Sequence, residues 1–169
     1  MFMMETGILY MTRASKNTHY KGDEYMRINR TLYEKMFSEV RNTFPELGGI
    51  LGGTSGIITQ LYLDNGVENE KQCCYVPNTS ALNEVIQAWS ENEIEFYGLF
   101  HTHCYGSGVL SEGDKKYVKA IMESMPKSVK KLYFPVIVFP QKEVVAYEAS
   151  LAKGQLIIKE EKIILEEDV

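Results

Sequence analysis

Two of the three histidines in the chain are His101 and His103, separated only by Thr102. They close a run beginning at Ile94 whose residue types read as a β-strand. On a strand, residues two apart point to the same face, about 7 Å apart along the chain. Two imidazoles at that spacing can converge on one metal ion. Zinc takes neutral imidazole nitrogen at about 2.0–2.1 Å and tolerates carboxylate oxygen as a further ligand. A carboxylate follows in Ser111-Glu112-Gly113-Asp114, where Asp114 falls in the first turn of an expected helix. Two histidines and one carboxylate leave a fourth tetrahedral position for water, the arrangement of a catalytic zinc site. Binding would bring the pKa of that water down to near 7.

Each half of this pattern has a plainer explanation. A lone His-x-His pair is weak. Ser-x-x-Asp at a helix start is a capping box, in which Ser111 satisfies an orphan backbone N–H. The two roles of Asp114 are compatible, because a carboxylate has two oxygens. The conjunction is far more specific. His-x-His, seven intervening residues and Ser-x-x-Asp should arise by chance with a probability on the order of one in ten thousand. Strand alternation places Thr102 on the opposite face, with Phe96, Gly98 and Phe100. Tyr97 and Leu99 are then expected on the histidine face.

The elements that must hold these groups follow from periodicity. Asp23 to Thr43 reads as a helix, with Ile28, Leu32, Met36 and Val40 four apart, Asp23 as N-cap and Pro45 as the stop. A strand follows from Gly48, broken near Gly52-Gly53, and a second runs from Ile57 to Leu63. Asp64-Asn65-Gly66 is a turn signal, and Gln72 to Val76 resumes the strand pattern. Thr79 or Ser80 caps a second helix carrying Leu82, Val85, Ile86 and Trp89. Cys104 to Leu110 reads as a loop, and Ser111 starts a third helix. Strands recur at Leu132–Phe139, Glu143–Ala149 and Gln155–Leu165. The expected class is α/β or α+β, with a curved mixed sheet flanked by helices in a single domain over 1–169.

Composition narrows the function. The 169 residues carry a formal net charge of −5, a poor match to phosphate neutralisation on nucleic acid. No stretch approaches the roughly 20 apolar residues that span a bilayer, so no membrane role is expected. Met1 to Tyr10 has no basic n-region and carries Glu5, which does not read as a secretory signal. The expectation is a cytoplasmic protein. Cys73, Cys74 and Cys104 are odd in number, against a disulfide framework. Cys73 and Cys74 should point to opposite faces as buried thiols.

The His101-Thr102-His103 to Asp114 spacing resembles the JAMM motif of the MPN-plus metallopeptidases, position for position. Pro45-Glu46-Leu47-Gly48-Gly49-Ile50-Leu51-Gly52 is similar to the family's upstream glutamate before a Gly-Gly strand. The resemblance covers roughly residues 24 to 150. It implies an MPN/JAMM-type domain in which His101, His103 and Asp114 ligate one Zn2+ per chain. It implies Glu46 as general base and Ser111 as oxyanion donor. It also implies hydrolysis of a peptide or isopeptide bond after the C-terminal glycine of a ubiquitin-like protein with a Gly-Gly tail. Ubiquitin-activating-like enzymes are then possible partners in the same pathway. The segment between Asp114 and Lys131 is short, which fits a prokaryotic-type enzyme better than a larger deubiquitinase. A Gly-Gly tail suits a narrow groove and could add as a strand. Asn78 to Asn92 is the flank expected to meet the body of the substrate.

Two positions depart from the family pattern. Cys104 and Leu110 stand where many members have proline. Cys104 either points away from the metal or, if the chain turns, blocks the open position as thiolate. The alternatives to the enzyme are a non-catalytic MPN scaffold or partner-activated binding module, and a metallo-amidase acting on another small peptide.

Overall fold

The computed structural model describes residues 25–42, 44–67 and 75–167. Eleven elements follow one another: β1 (Tyr25–Asn29), α1 (Arg30–Glu39), β2 (Gly48–Thr54), β3 (Ile57–Asp64), α2 (Thr79–Glu91), β4 (Glu95–His103), α3 (Glu112–Ser124), β5 (Lys131–Tyr133), β6 (Val136–Val138), β7 (Glu143–Ala152) and β8 (Gln155–Glu166). The order in the sheet is β2-β3-β1-β8-β7-β5-β4-β6, and β2 also pairs with β4. That last pairing closes the sheet into a barrel. The pairing is mixed: β1 lies parallel to β3 and β8, while β2 lies antiparallel to both β3 and β4. The mixed, curved sheet expected from the sequence is present, and its curvature runs to closure. Bulges help it bend. The register of β2 shifts at Gly52/Gly53 against β3 and at Leu51/Gly52 against β4, and each such shift adds local twist.

Alternation along the central strands sorts the core into two clusters. Ile50 and Leu99 face α2 and α3, where Leu82, Ile86, Val118 and Ile121 are buried. Leu51 and Phe100 face the other way, with Met26, Ile28, Ile58 and, from α1, Leu32 and Met36. The histidine end of β4 follows the alternation of Leu99, so it looks toward the helix that carries Asp114. Gly48 and Tyr75 back this end of the sheet. Gly48 pairs with His101, and a Cβ at Gly48 would collide with the Tyr75 ring.

The first helix is shorter than its periodicity predicts. Residues 25–29 form β1, with Met26 and Ile28 wholly buried at strand spacing. Pairing to β8 fixes them there. Ile28 lies four residues before Leu32 only because strand and helix bury into the same cluster. The helix begins after Asn29, whose side chain accepts from the Leu32 N–H at 2.9 Å. It ends at Glu39, well before Pro45. The cap expected at Asp23 lies outside the described residues, as do the segment Met1 to Tyr10 and the pair Cys73 and Cys74.

Other boundaries move for local reasons. Asn78, not Thr79 or Ser80, caps α2, with its side chain accepting from Ala81 N–H. Tyr75 and Val76 are not strand, and the rest of the Gln72 to Val76 segment lies outside the described residues. The strand expected over Leu132–Phe139 is split into β5 and β6 by Phe134 and Pro135. Pro135 has no N–H for a ladder, and its carbonyl instead accepts from His101 N–H at 3.3 Å. The α2 residues Leu82 and Ile86 are buried, with Val85 and Trp89 packed against the same cluster, so that face of Asn78 to Asn92 serves the core. Among the described residues, no helix is long and apolar enough to cross a membrane.

Candidate metal centre

The last residues of β4 and the first turn of α3 meet at one end of the sheet. His101 and Asp114 are fully buried and His103 is partly buried. The two Nε2 atoms lie 3.0 Å apart. His101 Nε2 is 3.6 Å from Asp114 Oδ1, and His103 Nε2 is 3.8 Å from Asp114 Oδ2. One ligand atom from each residue lies within 4.8 Å of the others. Tetrahedral zinc with bonds of about 2.0–2.1 Å sets its ligand atoms about 3.3 Å apart. The cluster is close to that spacing, and its donors, two imidazoles and one carboxylate, suit a divalent metal. These three residues could therefore hold a metal ion.

Neighbouring groups fix two of the three candidate ligands. His103 Nδ1 lies 2.7 Å from the Ser107 carbonyl oxygen. A carbonyl only accepts, so Nδ1 carries the hydrogen and donates. In the neutral ring, the Nε2 lone pair is then left for a metal. Asp114 forms the capping box expected of it. Its Oδ2 accepts from Ser111 N–H at 2.7 Å, while its own N–H donates to Ser111 Oγ at 3.2 Å. The capping box fixes the carboxylate, and Oδ1 faces His101.

Electrostatics separates the three ligands. Burial pushes the His101 imidazole down to about 4, with Asp114 opposing only in part. Burial also depresses His103, but the attraction of the Asp114 carboxylate and the hydrogen bond to the Ser107 carbonyl, with the charge of Glu46, carry it above its ordinary value. Burial raises Asp114, yet the attraction of both imidazoles, 3.6 and 3.8 Å away, outweighs that and holds it well below the usual carboxylate range. The metal-free site is thus a neutral His101 beside a His103 that gains a proton readily and an ionised Asp114.

Glu46 reaches this end of the sheet from the segment before β2. It is half-buried, and its charge is felt at His103. Its neighbour Leu47 is clamped twice by Thr102: Leu47 N–H donates to Thr102 Oγ1 at 2.9 Å, and Thr102 N–H donates to Leu47 O at 2.8 Å. Thr102 faces away from the metal ligands, as alternation predicts, and that side is where it anchors the Glu46 segment. Ser111 sits at the N-cap of α3, half-buried beside Asp114.

One face assignment changes. Tyr97 belongs to the cluster of Phe100, and Phe96 to that of Leu99. Against β2, Leu51 pairs with Gly98 and Gly52 with Phe96, leaving Tyr97 as the extra residue of a bulge. Gly98 takes φ +144 and packs against the Tyr133 backbone, a conformation that favours glycine. Upstream of that bulge the alternation is reversed. Cys104 is a buried thiol, and among the described residues the candidate metal-ligand cluster comprises His101, His103 and Asp114 without it. Ser107 and Thr102 were not assigned roles from the sequence. A backbone carbonyl such as that of Ser107 leaves no signature in residue type, whereas Thr102 could have been found by asking what its buried hydroxyl meets.

No protein-family model and no curated protein matches the chain. Solved structures do. The solution structure of protein DSY2949 from Desulfitobacterium hafniense matches with a TM-score of 0.61 at 21% identity, covering 85% of this chain and 94% of that one. The crystal structure of AF2198, a JAB1/MPN domain protein from Archaeoglobus fulgidus, matches with a TM-score of 0.47 at 17% identity, covering 83% of this chain and 100% of that one. The fold is therefore one already seen in DSY2949.

Proposed function

We propose that the chain is a zinc-dependent peptidase or isopeptidase of the JAMM (MPN-plus) type. The observation that carries the reading is the buried His101–His103–Asp114 cluster, with the charge of Glu46 acting on its exposed side through His103. Bound there, zinc would supply Lewis-acid polarisation and bring the pKa of water down to near 7. Glu46 takes a proton from the attacking water and passes it to the leaving amine. The Thr102 clamp on Leu47 holds Glu46 in place for this transfer. Ser111 Oγ accepts from Asp114 N–H, so its hydroxyl hydrogen is available to donate to the carbonyl oxygen under attack. The Ser107 carbonyl keeps His103 in its ligating tautomer.

The substrate in this reading is a ubiquitin-like protein with a Gly-Gly tail, cut after the final glycine. The support is the motif itself and the compactness of the site end: α3 takes most of the chain between Asp114 and β5, leaving little room for an added lobe. Enzymes resembling ubiquitin-activating enzymes are proposed for the same pathway. The test is cleavage of fusions carrying a Gly-Gly tail by zinc-loaded protein, with Glu46→Gln alongside. The variant should keep its zinc and lose cleavage. Equal cleavage by both proteins would remove Glu46 from the chemistry.

A further inference from the structure

Seven large hydrophobic side chains are exposed among the described residues: Tyr25, Phe44, Tyr62, Tyr105, Val109, Ile157 and Ile164. Four of them are marginal, at 36–39%. The other three stand apart, with Phe44 at 54%, Val109 at 65% and Tyr105 at 75%. Each of these three lies two residues from a group of the candidate site. Phe44 precedes Glu46, Tyr105 follows His103, and Val109 precedes Ser111. Single exposed apolar residues need no explanation. A set gathered around one site does, because apolar surface concentrated beside a functional centre marks a place where a ligand is bound.

The loop just before Val109 is tied to its surroundings at Ser107 and Gly108. The Ser107 carbonyl is held by His103 Nδ1. The Gly108 carbonyl accepts from the Tyr147 hydroxyl at 3.0 Å, and a Cβ on Gly108 would collide with Val145. Phe44 and Tyr105 stack with centroids 5.6 Å apart and planes at 23°. The stack joins the segment that carries Glu46 to the segment that follows His103. A polypeptide that reaches the candidate metal ligands by way of these two segments meets the stacked rings first.

We infer that Phe44, Tyr105 and Val109 form a subsite that takes an apolar side chain of the substrate polypeptide directly before its two glycines. This rests on the peptidase reading for the identity of the occupant. The rim offers aromatic faces and a branched aliphatic group, which reward a leucine-like side chain and leave a carboxylate desolvated without a partner.

The test uses two short peptides with a Gly-Gly cleavage site, one with leucine and one with aspartate directly before the glycines. Zinc-loaded wild-type protein should favour the leucine peptide in kcat/KM by about tenfold or more. Tyr105→Ser and Phe44→Ser should each bring that ratio toward unity. Ile157→Ser, exposed elsewhere on the sheet, should leave it unchanged. Equal cleavage of the two peptides by wild-type protein overturns the subsite and leaves the peptidase reading standing. If neither peptide is cut, binding to zinc-loaded Glu46→Gln protein by calorimetry decides. Tighter binding of the leucine peptide, lost with Tyr105→Ser, upholds the subsite although the peptidase reading has failed. Equal binding, or none, overturns it.

Discussion

Replacing Thr102 by valine should separate the metal ligands from the base. The side chain is wholly buried, and valine preserves its branched shape. What is lost is the acceptor for Leu47 N–H, a bond of 2.9 Å. Leaving such a donor unsatisfied costs about 1–3 kcal/mol. Leu47 is only partly buried, so water can offset some of this and the lower half of that range applies. For a chain of this size the loss should lower Tm by about 2–8 °C. The consequence for function is larger than for stability. Leu47 adjoins Glu46, so the base loses one of the two bonds that anchor its segment, while His101, His103 and Asp114 are untouched. The assay has three parts: thermal unfolding of metal-free protein by circular dichroism, zinc affinity by chelator competition, and cleavage rate. Thr102→Val should keep zinc affinity and lose cleavage, whereas Thr102→Ser, which retains the hydroxyl, should recover most of the rate. Equal losses in the serine and valine variants would show that methyl packing is what matters. An unchanged Tm and rate in the valine variant would refute the clamp altogether.

Zinc at about 100 times its Kd should stabilise the protein by about 2.7 kcal/mol, read as a rise in Tm that Asp114→Asn abolishes; a rise of the same size in that variant would place the ion elsewhere. Acid should destabilise the metal-free protein through His101. Its folded pKa of about 4 lies below the ordinary 6.5, so its neutral form contributes fully above 6.5 and the contribution is lost as pH falls toward 4. The gap corresponds to about 3 kcal/mol, and unfolding free energies from urea titration of wild type and His101→Gln should diverge by that much across the window. His103 acts in the opposite sense, because its folded pKa is raised: its contribution is full below 6.5 and is lost as pH rises through the folded value. Zinc affinity should therefore begin to fall with acid already above pH 6.5, as His103 takes up its proton, and a flat titration down to pH 5 would contradict ligation by His103. Cys104→Ser should leave zinc content and cleavage unchanged, since the thiol is buried and outside the ligand cluster; a large gain in rate would mean that the thiolate had been blocking the open position.

Much of the site was legible because it depends on short-range spacing. His101 and His103 are two apart on one strand, and Asp114 opens a helix with Ser111 as its cap, so strand and helix geometry alone nearly bring them together. The long-range parts were harder. The segment of Glu46 is brought to this end of the sheet by the pairing of β2 with β4 and the bonds between Leu47 and Thr102, which no local pattern encodes. Closure of the sheet rests on that same pairing. Strict alternation puts Tyr97 on the wrong face because it is the extra residue of a bulge beside Gly98; a lone glycine within a strand pattern is a signal for such a bulge. β1 was absorbed into the first helix because Met26 and Ile28 bury at strand spacing immediately before Leu32 and Met36 bury at helical spacing. Asn29, the residue that divides the two, is an ordinary N-cap type and could have been weighed against Asp23.

The central claim is a metal centre built from His101, His103 and Asp114. The most direct measurement is the metal content of purified protein by mass spectrometry, beside His103→Ala. About one zinc per chain in the wild type, lost in the variant, is the result expected. No metal after zinc is supplied, or zinc retained undiminished in His103→Ala, would contradict it.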